Sequence, residues 1–226
     1  MRAPRPMRLP QAVVFDMDGL MLDTERMALR CWSRAATKLG VGFDTSLIPA
    51  LIGRNAQDSR QFVLADYGSD YPIDALMLES RAQFDAIAQR EGIAVKPGLL
   101  TLLDWLESLG VPRVIATSTR RERARTHLTR CALLARFHAL VGGDEVDHGK
   151  PAPDIFLLAA SRLNVDPAQC IVLEDSEHGV RGALAAGMIP IMVPDMLMPS
   201  DELLACEPLV LSSLGEVHAH LAQLPR

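Results

Sequence analysis

Long apolar runs are missing from this sequence. No stretch approaches the roughly 18 residues that a membrane span requires, so no membrane partner is expected. Cysteine is scarce: Cys31, Cys131, Cys170 and Cys206 lie far apart and none sits in a CxxC pair. That pattern argues against a disulfide framework and a zinc knuckle, and it fits a reducing cytoplasm. Positive charge is not in excess, with 23 Lys and Arg against 28 Asp and Glu and a formal net charge of −5. Such a field repels phosphate backbones, so nucleic-acid binding is not expected. Internal repeats and low-complexity blocks are also absent, and Gly and Pro, 15 each, follow no three-residue period that would signal a collagen-like chain. The N-terminal MRAPRPMRLPQ is basic and proline-rich but lacks the apolar stretch of a secretory signal, and reads as a frayed tail.

The 226 residues, 49% apolar and 23% charged, can bury enough surface to offset the entropy of ordering. The length suits one large domain or one domain carrying an insertion. Short apolar runs read as buried parallel strands: 12–15, 113–117, 170–173 and 189–193, with a shorter one at 138–141. Helical spacing separates them at 98–109, 121–130, 153–163 and 177–187. This alternation implies an α/β fold with a doubly wound parallel sheet. Between the first strand and residue 98 the chain reads only as helices, roughly 24–39, 55–66 and 73–90, a candidate lid or cap inserted after strand one. Residues 200–224 read as one or two ordinary helices.

The polar groups at strand ends carry the chemistry, because ligands to such sheets bind beyond the carboxyl ends of the strands. Asp16-Met17-Asp18-Gly19 follows the first strand and puts two carboxylates on one side of an extended backbone. Alone it could equally be a turn with capping aspartates. An EF-hand loop fails, because Gly19 is fourth and not sixth from Asp16, and position twelve is Met27. Glu174-Asp175-Ser176 follows another strand and alone could be a helix N-cap, as could Thr117 in Ala116-Thr117-Ser118-Thr119. Gly149-Lys150-Pro151-Ala152-Pro153-Asp154 fixes a lysine in a rigid loop.

Taken together, four carboxylates, one lysine and one hydroxyl suit phosphoryl transfer around a hard divalent ion such as Mg²⁺. Asp16 would attack phosphorus, and Asp18 would protonate the leaving oxygen and then deprotonate water. Thr117 and Lys150 would hold phosphoryl oxygens, while Asp175, with Glu174 beside it, would ligate the metal. The run Arg120, Arg121, Arg123, Arg125 reads instead as a solvated helix face.

The segments DMDGLMLDTE (16–25), ATST (116–119), GKPAPDIF (149–156) and LEDSEHGVRGALAAGM (173–188) resemble the haloacid-dehalogenase-like (HAD) hydrolase superfamily, most of all its β-phosphoglucomutase-like and sugar-phosphatase branch. The resemblance implies a Rossmann-like core over 1–23 and 92–226 and a helical cap over 24–91. It also implies an Asp16 nucleophile, Asp18 as acid/base and, through its backbone carbonyl, a metal contact, and Mg²⁺ held with Asp16, Glu174 and Asp175. Thr117, Ser118 and Lys150 would bind substrate phosphate, with Gly53 and Arg54 of the cap loop as further substrate contacts. Dehalogenases of the superfamily lack an Asp two places after the nucleophile, so Asp18 favours phosphate chemistry. The mutases carry a His in the first cap helix and cationic residues where this chain has Ile52 and Ala56, and Thr24–Arg30 contains no His. The expected activity is therefore a Mg²⁺-dependent phosphatase for small phosphorylated metabolites, sugar phosphates foremost, with a phosphomutase as the alternative and a non-catalytic metabolite binder as the third reading. The oligomeric state is not legible, with a monomer favoured.

Overall fold

The structure is a computed structural model and describes residues 8–225. From the N-terminus, strand β1 (Ala12–Phe15) leads into helices α1 (Glu25–Leu39), α2 (Ile48–Leu51), α3 (Ala56–Tyr67) and α4 (Ile73–Glu91). There follow α5 (Leu99–Ser108), β2 (Arg113–Thr117), α6 (Arg121–Arg130), β3 (Ala139–Gly142), α7 (Asp154–Leu163) and β4 (Cys170–Glu174). The chain closes with α8 (Glu177–Ala185), β5 (Ile189–Met192), α9 (Asp201–Leu204), β6 (Leu209–Val210) and α10 (Leu214–Leu221).

All six strands are parallel, in the order β3-β2-β1-β4-β5-β6. The chain winds outward from β1 through β2 to β3, then returns to the other side of β1 with β4. That reversal makes β1 and β4 neighbours at a topological switch point, where a crevice opens beyond the strand ends. Successive residues of β1 serve opposite faces: Val13 and Phe15 join the layer formed with α5 and α10, whereas Ala12 and Val14 join the layer formed with α7. Burial on both faces explains why the strand reads as an unbroken apolar run.

Between β1 and β2 the helical insert builds a cluster of its own, with Ala35, Val63, Ile73 and Leu76 under Trp32, Phe43, Tyr67 and Tyr71. Its base is continuous with the core, because Met27, Cys31, Phe84 and Ile87 belong to the same apolar cluster as Phe15 and Leu99. The outgoing and returning chains run side by side. Leu22 bridges Val95, Asp23 N–H donates to the Ala94 carbonyl at 2.9 Å, and Lys96 N–H donates to that of Met21 at 2.9 Å.

Two expectations need correction. The 200–224 segment holds, besides α9 and α10, the edge strand β6, whose two half-buried residues are too short to show any periodicity. Of the expected frayed tail, residues 1–7 lie outside the described residues, while 8–11 are tied down. The Arg8 guanidinium donates to Gln169 Oε1 at 3.0 Å, Leu9 N–H to the Pro225 carbonyl at 2.9 Å, and Gln11 N–H to the Gln169 carbonyl at 3.0 Å. The four cysteines are all free thiols, as their spacing implied.

Candidate active site

The carboxyl ends of β1, β2 and β4 deliver Asp16, Thr117 and Glu174 to one crevice, and the loop before α7 brings in Lys150. All four are buried. The three protons of the Lys150 ammonium are fully used: one goes to Asp16 Oδ1, one to Glu174 Oε1 and one to the Ala116 carbonyl at 3.1 Å. The other Glu174 oxygen accepts from the backbone N–H of Ser176 at 3.2 Å and from its hydroxyl at 3.0 Å. Ser176 Oγ in turn accepts the Gly179 N–H at 3.1 Å and caps α8, so helix start and carboxylate are fixed by one hydroxyl.

Asp16, Glu174 and Asp175 each offer one carboxylate oxygen, and the three oxygens lie within 4.8 Å of one another. At an effective dielectric near 20, each such pair of like charges costs about 3 kcal/mol. Fully ionised, three carboxylates and one ammonium leave two negative charges uncompensated. The consequence appears in their acidities. Burial pushes the Asp16 carboxyl well above the usual range, against the pull of Lys150 and with added repulsion from Glu174 and Asp18. Burial, then Glu174 and Asp16, do the same to Asp175. For Lys150, burial opposes the charge, but Asp16 and Glu174 more than reverse this and hold it charged beyond the ordinary lysine range. A buried, all-oxygen set with a surplus of two negative charges fits a hard divalent cation.

Asp18 is separate from that group. Its Oδ1 accepts the Thr24 hydroxyl at 2.8 Å, and its Oδ2 accepts those of Thr119 at 2.8 Å and Thr117 at 3.2 Å. Three hydroxyls from two segments therefore aim one carboxylate. Thr117, read from sequence as a phosphate ligand, spends its proton on Asp18 in this arrangement. Gly19 makes the turn after the pair: its φ is +79°, and a Cβ there would lie 2.1 Å from Asp175 Oδ2.

The insert meets the core directly over this site. Ser118 Oγ donates to the Gly53 carbonyl at 2.8 Å, and Gly53, at φ +78°, lies so close that a Cβ would be 2.7 Å from Ser176 Oγ. Arg54 lines the resulting cavity of about 690 Å³ together with Asp16, Asp18 and Asp175. Its Nε donates to the Ala50 carbonyl at 2.7 Å and its guanidinium lies 5.1 Å over the Phe62 ring.

Sequence reasoning missed several members of the site. Thr24 and Thr119, which hold Asp18, sat unremarked inside quoted motifs, and only their density of hydroxyls near an acid could have marked them. Glu25 lies in the same cavity, its carboxyl raised to about 8 by burial and by the charges of Asp18 and Asp195. The arginine run also needs partial correction. Arg120, Arg121 and Arg125 are exposed, as a solvated face requires, but Arg123 is half-buried, and it and the neighbouring Arg120 line the cavity.

Fold and site together define a Rossmann-like α/β protein with a buried carboxylate–ammonium centre at its switch point. The chain belongs to the haloacid dehalogenase-like hydrolase family, whose profile matches residues 10–187. It is 37% identical over 198 residues to (DL)-glycerol-3-phosphatase 1, mitochondrial, of Arabidopsis thaliana, a match covering 81% of this chain but only 63% of that protein. It is 35% identical over 178 residues to fructose-1-phosphate phosphatase YqaB of Escherichia coli, covering 78% and 92% of the two chains. Among solved structures, beta-phosphoglucomutase from Clostridium difficile shares the fold with a TM-score of 0.80 at 23% identity, over 95% of this chain and 96% of that one.

Proposed function

We propose that this protein is a Mg²⁺-dependent phosphatase of small phosphorylated metabolites, sugar phosphates foremost, working through an aspartyl-phosphate on Asp16. The observation that carries the reading is the Lys150 ammonium clamped between Asp16 and Glu174 within a buried acidic group. The clamp immobilises one Asp16 oxygen and leaves the other to act on phosphorus. Bound Mg²⁺, held by Asp16, Glu174 and Asp175 with the Asp18 carbonyl, would supply positive charge that lets a phosphate dianion approach these carboxylates.

The chain's own residues do the rest. Asp16 Oδ attacks phosphorus as the bond from phosphorus to the ester oxygen breaks, and protonated Asp18 delivers its proton to that oxygen. Asp18, now a carboxylate, takes a proton from water, whose oxygen attacks phosphorus and frees Asp16 and inorganic phosphate. The hydroxyls of Thr24, Thr117 and Thr119 hold Asp18 in line for both transfers. Residues 24–91 would act as a cap over a core of 1–23 and 92–226, excluding bulky phosphoproteins, with Gly53 and Arg54 presented to substrate. Ile52 and Ala56, uncharged where the mutases are cationic, favour water over a second sugar as acceptor. No helix among the described residues is long and apolar enough to cross a membrane, and the free thiols agree with a cytoplasmic location.

A phosphate-release screen over sugar phosphates and nucleotides, with and without Mg²⁺, tests the reading. Release that requires the metal and disappears in Asp16→Asn supports it. Isomerisation dependent on a bisphosphate activator, without net release, would replace it with the mutase.

A further inference from the structure

The cavity has a second charged region that the phosphoryl chemistry does not use. Arg81 on α4, Arg120 just before α6, and Arg123 and His127 on α6 all line it. Neither Arg81 nor Arg120 makes a side-chain hydrogen bond or ion pair among the described residues. Arg123 is built in: its guanidinium lies 5.0 Å over the Phe84 ring and 3.0 Å from Asp85, a half-exposed carboxylate. Next to it the His127 ring, 2% exposed, stacks on the same Phe84 at 5.2 Å between centroids. The His127 ring has no hydrogen-bond partner among the described residues, and its Nδ1 is fully enclosed. A buried imidazole without a protein partner calls for a polar partner from elsewhere.

We infer that Arg81, Arg120, Arg123 and His127 form a second anion subsite, so that the preferred substrate is a small phosphate monoester bearing another anionic group, a carboxylate or a second phosphoryl. The inference rests on the phosphatase reading and narrows its substrate class. Of the three guanidiniums, only that of Arg123 has a carboxylate in ion-pair reach among the described residues, Asp85 at 3.0 Å. Asp144 and Asp147 also line the cavity, and Asp144 accepts the Arg121 backbone N–H at 2.7 Å. Arg81 is an exposed residue of the cavity lining, and partial desolvation, then the charges of Arg123 and Arg120, weaken its hold on its proton. An oxyanion answers all three, since a guanidinium offers it a planar fork of donors. The His127 ring, pushed toward its neutral form by burial, lines the cavity beside Arg123 and offers the hydroxyl-bearing body of a metabolite a polar contact. A cavity of about 690 Å³ is large enough for a metabolite spanning both charged regions.

The test uses matched pairs that differ in the second anion: glycerol 3-phosphate against 3-phosphoglycerate, and fructose 6-phosphate against fructose 1,6-bisphosphate. Steady-state phosphate release is measured with Mg²⁺, and binding of the same four compounds to Asp16→Asn is measured by calorimetry. We expect the more anionic member of at least one pair to lead by tenfold or more in kcat/KM and in affinity. The pair that shows it tells carboxylate from phosphoryl. Arg81→Gln and Arg120→Gln should bring that ratio toward unity, mostly through KM, and Arg81→Lys should restore much of it. Ratios near unity in both pairs, or an unchanged ratio in both Gln variants, would overturn the subsite. Absence of phosphate release from all four compounds, with the binding preference intact, would count against the phosphatase and leave the subsite standing.

Discussion

The sheet end and the helical insert handle charge in opposite ways. At the sheet end, Asp16, Lys150 and Glu174 are buried and bound to one another or to the backbone, with the buried Asp175 beside them. In the insert the ionic contacts lie at the surface, as with Lys38 and Glu79 at 2.8 Å or Arg60 and Asp74 at 2.8 Å, and the interior is an aromatic and aliphatic cluster. The parallel sheet tolerates buried charge because its strand ends supply fixed carbonyls and N–H groups to satisfy it. The helices of the insert spend their backbone groups within themselves and offer fewer. Reaction chemistry therefore belongs to the rigid element, and the choice of substrate falls to side chains on helix faces, which can change without disturbing the sheet.

The severest way to break this contrast is Asp16→Asn. If the sheet end holds the nucleophile, kcat falls by at least about 10³-fold while the far-ultraviolet circular dichroism is unchanged. Retention of wild-type kcat would remove Asp16 from the reaction. Next comes Lys150→Met, which leaves buried carboxylates without their cation and should cost about 3–5 kcal/mol in urea unfolding. The matching change in the insert, Lys38→Met, removes an exposed partner and should cost less than about 1 kcal/mol. Equal losses would erase the distinction between the two regions.

A smaller effect is due at Gly179, where a Cβ would lie 1.9 Å from Glu174 Cδ. Gly179→Ala has to displace either the carboxylate or the first turn of α8. The expected loss is about 1–3 kcal/mol, with a higher Mg²⁺ concentration for half-maximal activity. Unaltered Mg²⁺ dependence would show that Glu174 has no part in holding the ion.

The metal itself should show in the pH dependence of stability. Asp16 and Asp175 have raised pKa values in the folded state, so without the ion the folded protein binds more protons than the unfolded chain. Their contribution is complete below the ordinary Asp value of 3.8 and is lost as pH rises through the raised folded values. Mg²⁺ binds the ionised carboxylates and offsets that loss. The rise in Tm on adding Mg²⁺ should thus be larger at pH 8 than at pH 5, by a few degrees at ~1 kcal/mol. A Tm increment independent of pH would mean that the ion binds away from these groups.

Legibility followed the same division. DMDG, ATST and LEDS each sit at or just beyond a buried strand, so a motif's place in the sequence also gave its place in the crevice, while GKPAP lies in the loop that leads into α7. What stayed hidden depends on rotation and on distant partners. Thr24 and Thr119 meet at Asp18 only because β1 and β2 are neighbours. Ser118 reaches Gly53 across 65 residues of chain. His127 is one apolar-facing position among others on α6 until the helix is docked. β6 is too short for a two-residue alternation to appear.

The arginine run shows the limit most plainly and supplies the smallest effect. At about 100° per residue, positions 123, 124 and 127 share one side of α6, and 121 and 125 lie on the other. Ala124 and His127 are buried, which turns that side inward and carries Arg123 to the cavity, beside the exposed Arg120 that precedes the helix. Arg121 and Arg125 are left in solvent. The sequence contains this division, but it cannot be assigned a direction before the docked face is known, and a dense basic run then looks uniformly solvated. Arg125→Ala should shift unfolding by less than about 0.5 kcal/mol and leave kcat/KM within error for every substrate pair. A change in substrate preference from this outward residue would mean that α6 sits in a different rotation, and the assignment of the inward Arg123 would fall with it.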